Sequence, residues 1–430
     1  MKHIICNQGV EKVKNIADII KKYGKYLLLL LRWMAISTVV GIVCGLVGTA
    51  FDFAVEFATE LRGAHSFLIY LLPLAGIVIV ALYQLLKTQN EIGTDYIVDS
   101  IRTTDKIPLL LAPLIYIGTF LTHLCGGSAG REGAALQLGG SIAYNVGRIF
   151  KPSKKDMSLI VLSGMSGVFA ALFGTPITAA IFALEVVSVG TIYYSGLIPC
   201  LTSAGIAYAV AHLSGVKAVR FSIEAIPDFT ALSILKTVVV AALCAIISVV
   251  FCKAIKHSKE LFAKVIKNHY LRALLGGLII VLLSLVFSSH DYNGAGMDVI
   301  SKAISGEAVP WAFAVKILFT AVTIGSGFKG GEIVPCFFIG STFGCAVGSL
   351  IGLNPCFAAA IGLVAMFCGS VNCPIASIFL SIELFGAGGI IYFALACAIS
   401  YVLSGYTGLY DTQKIIYSKY TAEYINKAAE

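Results

Sequence analysis

The segment that decides the fold covers residues 126–140 and reads GGSAGREGAALQLGG. Its glycines allow close approach of the backbone, and a helix is predicted to begin at about Glu132. The first amides of such a helix have no partner within the helix, and the helix dipole places partial positive charge there. The segment therefore predicts an anion-binding site that is built from backbone amides and needs no formal cation.

Glu132 lies at the position that an anion would occupy in this site. An ionised carboxylate there is itself a tethered anion that fills and blocks the site. A protonated carboxylate loses that attraction and can move away, so one residue could gate an anion path and also carry a proton. The alternative is that Glu132 only caps its own helix while Arg131 pairs with a carboxylate. An acidic residue in an apolar region is a functional candidate by default, which favours the gate.

A second segment repeats this arrangement at residues 325–335, which read GSGFKGGEIVP. Glycines again precede a predicted helix start, and Glu332 lies at that start. Two helix starts directed at one point would form a shared anion cradle, in which Glu332 is a second candidate proton ligand. The alternative for Glu332 is a structural salt bridge to Lys329.

The composition indicates that both segments lie in a membrane protein. Of the 430 residues, 58% are apolar and only 13% are charged, about half of the roughly 25% that is usual in soluble proteins. A soluble globule this apolar could not cover its own surface, which excludes a cytosolic enzyme, a nucleic-acid-binding domain and a disordered regulator. The net charge of +8 is therefore not a nucleic-acid signal. At about 20 residues per span, the apolar content suffices for ten or more membrane segments.

The apolar stretches vary in length, which indicates broken helices. The stretch at residues 26–61 is longer than a bilayer needs, whereas several others cover only 11 to 15 residues. Glycine or proline separates them, as at Gly174 and Pro176. Broken helices cannot face lipid because their free backbone groups would be unsatisfied, so they are buried or line a polar cavity. This pattern is typical of transporters and channels with a site near the middle of the membrane.

Basic residues outside the apolar stretches predict the orientation in the membrane. They concentrate in residues 1–25, 148–155, 253–272 and 414–427, all of which we assign to the cytoplasm. The first of these segments is predicted to form an amphipathic helix, and the third a basic helix. A short cytoplasmic tail at residues 411–430 is predicted to begin with a polar helix, and no separate soluble domain is expected.

Three pairs of segments recur in the same order, about 200 residues apart. They are residues 93–97 with 296–300, 139–147 with 340–348, and 175–185 with 373–383. One such match could arise by chance in a glycine-rich chain, but three matches in the same order are much less likely to do so. We predict two homologous halves, about 66–214 and 274–405, with the site at their interface. The repeats alone do not distinguish inverted from parallel halves.

Other polar side chains in apolar segments have simpler interpretations. Glu185 and Glu383 each follow a proline by nine residues, and this symmetry favours a structural role such as accepting hydrogen bonds from loop amides. Lys316 and His123 are each a candidate partner for one of the glutamates. The twelve cysteines are scattered without a C-x-x-C pair, which predicts small buried hydrophobes rather than disulfides. No metal or cofactor motif is present.

One motif, at residues 164–167, would support an enzyme. They read GMSG, which fits the G-x-S-G motif of rhomboid intramembrane proteases. A nucleophilic serine needs a base within hydrogen-bond reach, and His212, at the end of its apolar run, is the only histidine within such a run after Ser166. A cation-coupled solute transporter is a second alternative, but helix N-termini repel cations. Both alternatives are weaker than an anion path.

Together these segments resemble the CLC family of chloride channels and proton-coupled anion exchangers over about residues 26–420. Residues 130–133, GREG, resemble the gating-glutamate motif of that family. Residues 331–335, GEIVP, resemble its G-x-F-x-P motif, and residues 408–410, GLY, resemble the segment that bears its anion-coordinating tyrosine. The motifs occur in the family's order, so the resemblance is specific.

The resemblance implies an all-α CLC-type membrane fold with two inverted repeats and broken half-helices, within a transmembrane domain at 26–410. It implies a homodimer in the lipid bilayer with one ion pathway per subunit. It also implies that Glu132 is the gate and that the halide anion is exchanged for a proton without a cofactor. The anion-binding positions, taken with those argued above, are Thr94, Gly130, Arg131, Gly133, Ala134, Ile333, Val334 and Tyr410.

Several positions depart from the family pattern and bear on the transported ion. The first family motif, G-S-G-I-P, is Gly-Thr-Asp-Tyr-Ile at residues 93–97, so Thr94 replaces the serine and Asp95 adds an acid. Proton-coupled chloride exchangers of the family carry a second acid next to the position of Glu185, and in this sequence that position is Val186. With Glu332 gained, the pattern is similar to the fluoride/proton antiporter branch, although Val334 stands where that branch often has a hydroxyl. We expect proton-coupled halide antiport in a microbial plasma membrane, with fluoride export favoured over a chloride channel or chloride/proton exchanger.

Overall fold

Helices form nearly all of the molecule, as the apolar runs separated by glycine and proline predict. The computed structural model describes residues 2–86, 88, 93–103, 106–223 and 225–429, with side chains from residue 19 onward. Within these residues, seven helical segments are long and apolar enough to cross a membrane, and shorter apolar helices of 10–17 residues accompany them. The predicted all-α polytopic membrane fold with broken half-helices is confirmed.

The helices fall into two series of eight among the described residues. The first series comprises α1 (Lys2–Ala64), α2 (Leu72–Leu85), α3 (Thr94–Thr103), α4 (Leu111–Leu124), α5 (Glu132–Gly147), α6 (Lys154–Phe173), α7 (Pro176–Glu185) and α8 (Leu197–Leu213). The second series comprises α9 (Ala231–Val265), α10 (His269–Phe287), α11 (Met297–Ile304), α12 (Ala312–Gly325), α13 (Ile333–Ile351), α14 (Pro355–Val371), α15 (Pro374–Phe385) and α16 (Ile390–Leu403). Three short strands, β1 (Ser188–Val189), β2 (Lys414–Tyr417) and β3 (Tyr424–Ala428), form one small sheet.

Glycines allow the two central helix pairs to pack with their backbones in contact. A Cβ atom on Gly139 of α5 would meet the carbonyl oxygen of Gly164 on α6. In the same way, a Cβ atom on Gly340 of α13 would meet the carbonyl oxygen of Gly362 on α14. Small residues at such crossings are how membrane helices approach closely. This packing buries α5 and α13, whose starts carry the two candidate glutamates.

Glu185 and Glu383 connect α7 and α15 reciprocally. Each carboxylate lies near the end of one helix and accepts two backbone amides at the start of the other. The bonds run from Ile375 N and Ala376 N to Glu185 at 3.2 and 2.8 Å, and from Ile177 N and Thr178 N to Glu383 at 3.1 and 2.8 Å. These amides have no partner within their own helices. The prediction that both glutamates accept hydrogen bonds from backbone amides is confirmed.

The cysteines also behave as predicted within the described residues. Eleven of them are free and buried, and none forms a disulfide. Cys368 and Cys336 are typical, because their thiols contact the carbonyl oxygen of Cys397 at 3.3 Å and the hydroxyl of Ser370 at 3.4 Å. They therefore pack as small, weakly polar residues.

The basic segment between the two helix series is not one helix, so the prediction for residues 253–272 is wrong. Helix α9 ends at Val265, and α10 begins at His269. The side chain of Asn268 accepts hydrogen bonds from Tyr270 N at 2.9 Å and Leu271 N at 3.3 Å. Asparagine is a favoured N-cap, and this cap starts a new helix within the basic segment.

Residues 1–25 do not form a separate helix, because α1 runs without a break from Lys2 to Ala64. The two glycines in this region, Gly9 and Gly24, are tolerated within the helix at a cost of about 1 kcal/mol each. The predicted amphipathic face includes Val13 and Ile16, whose side chains lie outside the described residues.

The tail after Tyr410 is a β-hairpin, so the prediction of a polar helix there is wrong. Strand β2 pairs in parallel with β1 and antiparallel with β3. Ile415 lies opposite Val189 in this sheet and is fully buried. β2 reads Lys-Ile-Ile-Tyr, and isoleucine and tyrosine favour strands, so local preference and pairing with a strand more than 200 residues away act together.

Candidate ion-binding site

The starts of α5 and α13 lie side by side in the centre of the molecule. Gly130 and Gly331 form an isolated antiparallel bridge, in which each N–H donates to the carbonyl of the other at 2.7 and 2.6 Å. A Cβ atom on Gly331 would come within 3.0 Å of the amide nitrogen of Glu132, so this approach requires glycine. The two helix starts identified in the sequence therefore contribute to a single site.

The carboxylate of Glu132 lies on backbone amides from both helix starts. Its Oε2 accepts a hydrogen bond from Arg131 N at 2.9 Å, and the amides of Glu132 itself and of Val334 are near enough to stabilise the charge of the carboxylate. The side chain is 1% exposed, and Oε1 has no hydrogen-bond partner among the described residues. A carboxylate thus occupies the amide cradle as an anion would.

The guanidinium of Arg131 points away from the cradle. It forms an ion pair with Asp52 of α1 and lies 3.5 Å from the carbonyl oxygen of Leu172, while its Nε lies 3.9 Å from Glu132 Oε1. Arg131 and Asp52 line a cavity of about 730 Å³ together with Glu56. Arg131 therefore offers the cradle its amide, and its charge is compensated by Asp52.

Glu332 lies immediately before α13 and faces a different cavity of about 410 Å³. Tyr410, Asp95 and Lys259 line the same cavity. Lys329 does not pair with Glu332, because its ammonium lies over the ring of Tyr83 at 4.7 Å from the centroid. Glu332 forms no ion pair within the part of the chain that the structure describes. The salt bridge considered as an alternative is absent.

Thr94 and Tyr410 are two of the hydroxyl-bearing residues that border this cavity, and their hydroxyls differ in hydrogen bonding. The Tyr410 hydroxyl is buried and has no partner among the described residues, so it is available to donate. Thr94 Oγ1 donates to the carbonyl of Gly133 at 3.2 Å and accepts from Gln137 Nε2 at 3.3 Å. The Thr94 proton is therefore engaged within the protein, whereas the Tyr410 proton is not.

The remaining candidate residues surround the two helix starts. A Cβ atom on Gly133 would lie 3.0 Å from Gly331 Cα and 3.2 Å from Glu332 Oε2, so Gly133 lies where the two segments are in contact. Ala134 lies in the first turn of α5, and Ile333 and Val334 lie in the first turn of α13; all three are buried. Amides in these first turns are the ones that a helix leaves unpaired.

Lys316 and His123 do not pair with a glutamate, so that prediction is wrong. Lys316 Nζ donates to the carbonyls of Tyr292 and Gly294 at 3.1 and 2.7 Å. His123 Nε2 lies 3.3 Å from the carbonyl of Gly130. Backbone carbonyls satisfy these buried donors, and the sequence carries no signal for such partners.

Ser166 lacks the surroundings of a nucleophile. Its hydroxyl donates to the carbonyls of Ser163 at 2.8 Å and Cys200 at 3.1 Å, and the described residues place no base against it. The ring of His212 instead stacks on Tyr208 at 5.9 Å between centroids. In the described part of the chain, no group of three His, Cys, Asp or Glu side chains could hold a metal ion.

Asp52 was missed by the sequence analysis, although a signal for it exists. It lies inside the first apolar stretch and is 5% exposed. A buried acid in such a stretch needs a partner, and that requirement alone would have identified Asp52 as a candidate. Its partner, Arg131, lies 79 residues away and could not be identified from spacing.

The fold and site define a class of protein: a polytopic membrane protein with a buried amide cradle at the starts of broken helices. A family model described as voltage gated chloride channel matches residues 75–405. The chain belongs to this family, which confirms the CLC resemblance.

Known relatives and solved structures match most of the chain. A chloride/fluoride channel protein of Pseudomonas syringae pv. tomato is 34% identical over 396 residues, which cover 90% of this chain and 88% of that protein. An H(+)/Cl(-) exchange transporter of Vibrio vulnificus is 26% identical and covers 81% of both chains. The crystal structure of a CLC-type fluoride/proton antiporter superposes with a TM-score of 0.86 at 32% identity, covering 89% of this chain and 98% of that one. A slow cyanobacterial Cl-/H+ antiporter shares the fold, with a TM-score of 0.76 at 20% identity over 87% of this chain and 94% of that one.

Proposed function

We propose that this protein exchanges a halide for protons across the membrane, with Glu132 as the gate. The observation that carries the proposal is the position of the Glu132 carboxylate on the amides of Arg131 and Val334. The ionised carboxylate fills the cradle and excludes the halide. A proton on Oε1, which accepts no hydrogen bond and lies 3.9 Å from Arg131 Nε, removes the negative charge, so the side chain can leave and a halide can take its place.

Two separate cavities lie beside this gate, one lined by Arg131 and the other by Glu332. Arg131 and Asp52 line one of them, on the gate's side. Glu332 and Tyr410 line the other, where the Tyr410 hydroxyl is free to donate to an anion. Lys259 in that cavity favours anions electrostatically. Glu332 is open to this cavity and is the second proton ligand in the cycle.

Fluoride is the favoured ion. Support comes from the relative named as a chloride/fluoride channel protein and from the structural neighbour described as a fluoride/proton antiporter. Fluoride is the anion of a weak acid and enters cells from acidic surroundings as neutral HF, so a proton-driven exporter would expel it. A chloride/proton exchanger or chloride channel of the same family is the second candidate. The Vibrio vulnificus relative and the apolar side chain of Val334 favour it.

We also propose a homodimer in the cell's inner membrane with both termini in the cytoplasm. The basic segments at residues 148–155 and 414–427 support this orientation. The transmembrane domain would cover residues 26–410, with repeats at about 66–214 and 274–405. The matched positions of Glu185 on α7 and Glu383 on α15 support this division.

Flux from reconstituted liposomes tests the proposal. Liposomes are loaded with fluoride or with chloride, and halide efflux and proton uptake are recorded together, with protein-free liposomes as the control. We expect fluoride efflux to exceed chloride efflux and to be accompanied by proton uptake. Equal efflux of both halides would contradict fluoride selectivity, and halide efflux without proton movement would contradict exchange.

A further inference from the structure

The ring of Tyr410 is packed in the core, but the hydrogen bonds that hold this stretch of chain come from its backbone. The Tyr410 hydroxyl has no hydrogen-bond partner among the described residues. Leu409 N instead donates to the carbonyl of Ser370 at 2.9 Å, and Gln413 N donates to the carbonyl of Tyr410 at 3.1 Å. Besides the packing of the ring, the position of the hydroxyl therefore depends on the residues that fix the neighbouring backbone.

Thr412, two residues after Tyr410, is bound to the start of α3. Asp95 Oδ1 accepts hydrogen bonds from Thr412 N at 3.0 Å and from Thr412 Oγ1 at 3.1 Å. The Thr412 hydroxyl also lies 3.1 Å from the carbonyl oxygen of Asp95. One carboxylate thus holds both the main chain and the side chain of Thr412, across 317 residues of sequence.

Arg102, near the end of α3, completes this attachment. Its Nη2 donates to the carbonyl of Thr412 at 2.5 Å and to Asp99 Oδ1 at 2.9 Å, and its Nη1 donates to the carbonyl of Val187 at 3.3 Å. The N–H, the hydroxyl and the carbonyl of Thr412 are therefore all bound by α3. We call Asp95, Arg102 and Thr412 the α3 clamp.

The α3 clamp connects two walls of the candidate site. Asp95 directly follows Thr94, whose hydroxyl is bound to Gly133 beside the cradle. Thr412 follows Tyr410, and Tyr410 and Asp95 line the same cavity. The clamp therefore links the chain that carries Tyr410 to the helix whose start is bound beside the amide cradle.

We propose that Asp95 is a positioning residue for Tyr410, acting through Thr412 to hold the tyrosine hydroxyl in the geometry that binds the anion. This inference rests on the proposed halide transport. Asp95 acts as a hydrogen-bond acceptor for Thr412, and the role requires no proton transfer. The amide oxygen of an asparagine can accept the same two hydrogen bonds, which separates this role from one as a charge or proton carrier.

The test compares Asp95→Ala with Asp95→Asn in reconstituted liposomes. Asp95→Ala is expected to raise the KM for halide by about tenfold, since a misplaced hydroxyl loses a hydrogen bond to an anion, while kcat changes by less than about threefold. Asp95→Asn is expected to retain the wild-type KM. Thr412→Val removes the hydroxyl but keeps the amide, and a KM about threefold higher is expected. This variant tests the same link if Asp95→Ala fails to fold.

Tyr410→Phe provides the background that shows whether Asp95 acts through Tyr410. In that background, Asp95→Ala should cause no further rise in KM, because the hydroxyl is already absent. A rise as large as in the wild-type background would overturn the proposal, and so would an Asp95→Asn variant as impaired as Asp95→Ala. Thr103→Val is the matched control, since that exposed α3 hydroxyl donates only to the carbonyl of Asp99 and its loss should leave KM unchanged. Wild-type protein that moves no halide would instead refute the proposed function.

Discussion

The starts of α5 and α13 have the same construction, but their glutamates differ in environment. Glu132 is enclosed, with its carboxylate on the amides of both helix starts and one oxygen without a partner among the described residues. Glu332 borders an open cavity that it shares with Tyr410. The proposed gate is therefore enclosed by protein, whereas the proposed second proton ligand borders a cavity.

A second pair of glutamates has the same role in both halves of the chain. Glu185 and Glu383 make the same two bonds to each other's helix starts, so their roles are interchangeable. The two halves remain alike where a carboxylate holds helices together. They diverge at Glu132 and Glu332, where the proposed ion path needs one gate and one proton ligand.

The largest expected effect is a loss of proton transport that is greater for Glu132 than for Glu332. Glutamine at position 132 keeps the shape of the side chain but cannot take up and release a proton, so Glu132→Gln should lower proton transport by about 10³-fold. Glu332→Gln should lower it by about tenfold, because water in the open cavity can partly replace that side chain. A pH-sensitive dye inside liposomes measures both rates. Equal losses in the two variants would mean that the enclosed and open positions are not functionally distinct.

A methyl group placed beside the gate should have an intermediate effect. A Cβ atom on Gly130 would collide with Glu132 Oε2 and approach Pro335 Cδ at 3.1 Å. Gly130→Ala should therefore displace the carboxylate and lower coupled transport by about ten- to thirtyfold. Gly205→Ala is the control, since a Cβ atom there meets no atom within 4 Å; it should transport normally and gain up to about 1 kcal/mol of helix stability. Normal proton coupling in Gly130→Ala would argue against the observed carboxylate position as the resting gate.

The symmetric pair should affect stability but have the smallest effect on transport. Glu185→Ala or Glu383→Ala leaves two helix-start amides without partners, so the free energy of unfolding should fall by about 1–3 kcal/mol. The loss should be larger for Glu185, which is 5% exposed, than for the less buried Glu383. Thermal unfolding in detergent measures the loss, and the ratio of protons to halide in liposomes should stay at the wild-type value. A changed ratio would place these residues in the ion path.

The features that the sequence predicted share a local cause. Glycines before Glu132 and Glu332 mark helix starts within a few residues, and the repeated spacing from proline to Glu185 and Glu383 shows that one structure occurs twice. Local patterns of this kind determine where a helix begins and which amides it leaves unpaired.

The features that the sequence did not predict depend on partners far along the chain. A carboxylate partner for Arg131 was considered as an alternative, but its identity as Asp52 was not predicted, and neither were the carbonyls that bind Lys316. The tail pairs with the first half of the chain through Ile415, which lies opposite Val189. Its isoleucines and tyrosines favour a strand, and this local signal, unlike the distant partners, was open to prediction.

The central claim is that the Glu132 carboxylate and the halide compete for one amide cradle. Calorimetric titration of fluoride onto purified protein, at neutral pH and about one pH unit lower, tests it most directly by comparing the wild type with Glu132→Ala. The wild type should bind more tightly as the pH falls, because protonation removes the competing charge. Glu132→Ala should bind at least about tenfold more tightly at neutral pH and lose this pH dependence. Equal affinities with the same pH dependence in both proteins would contradict the claim.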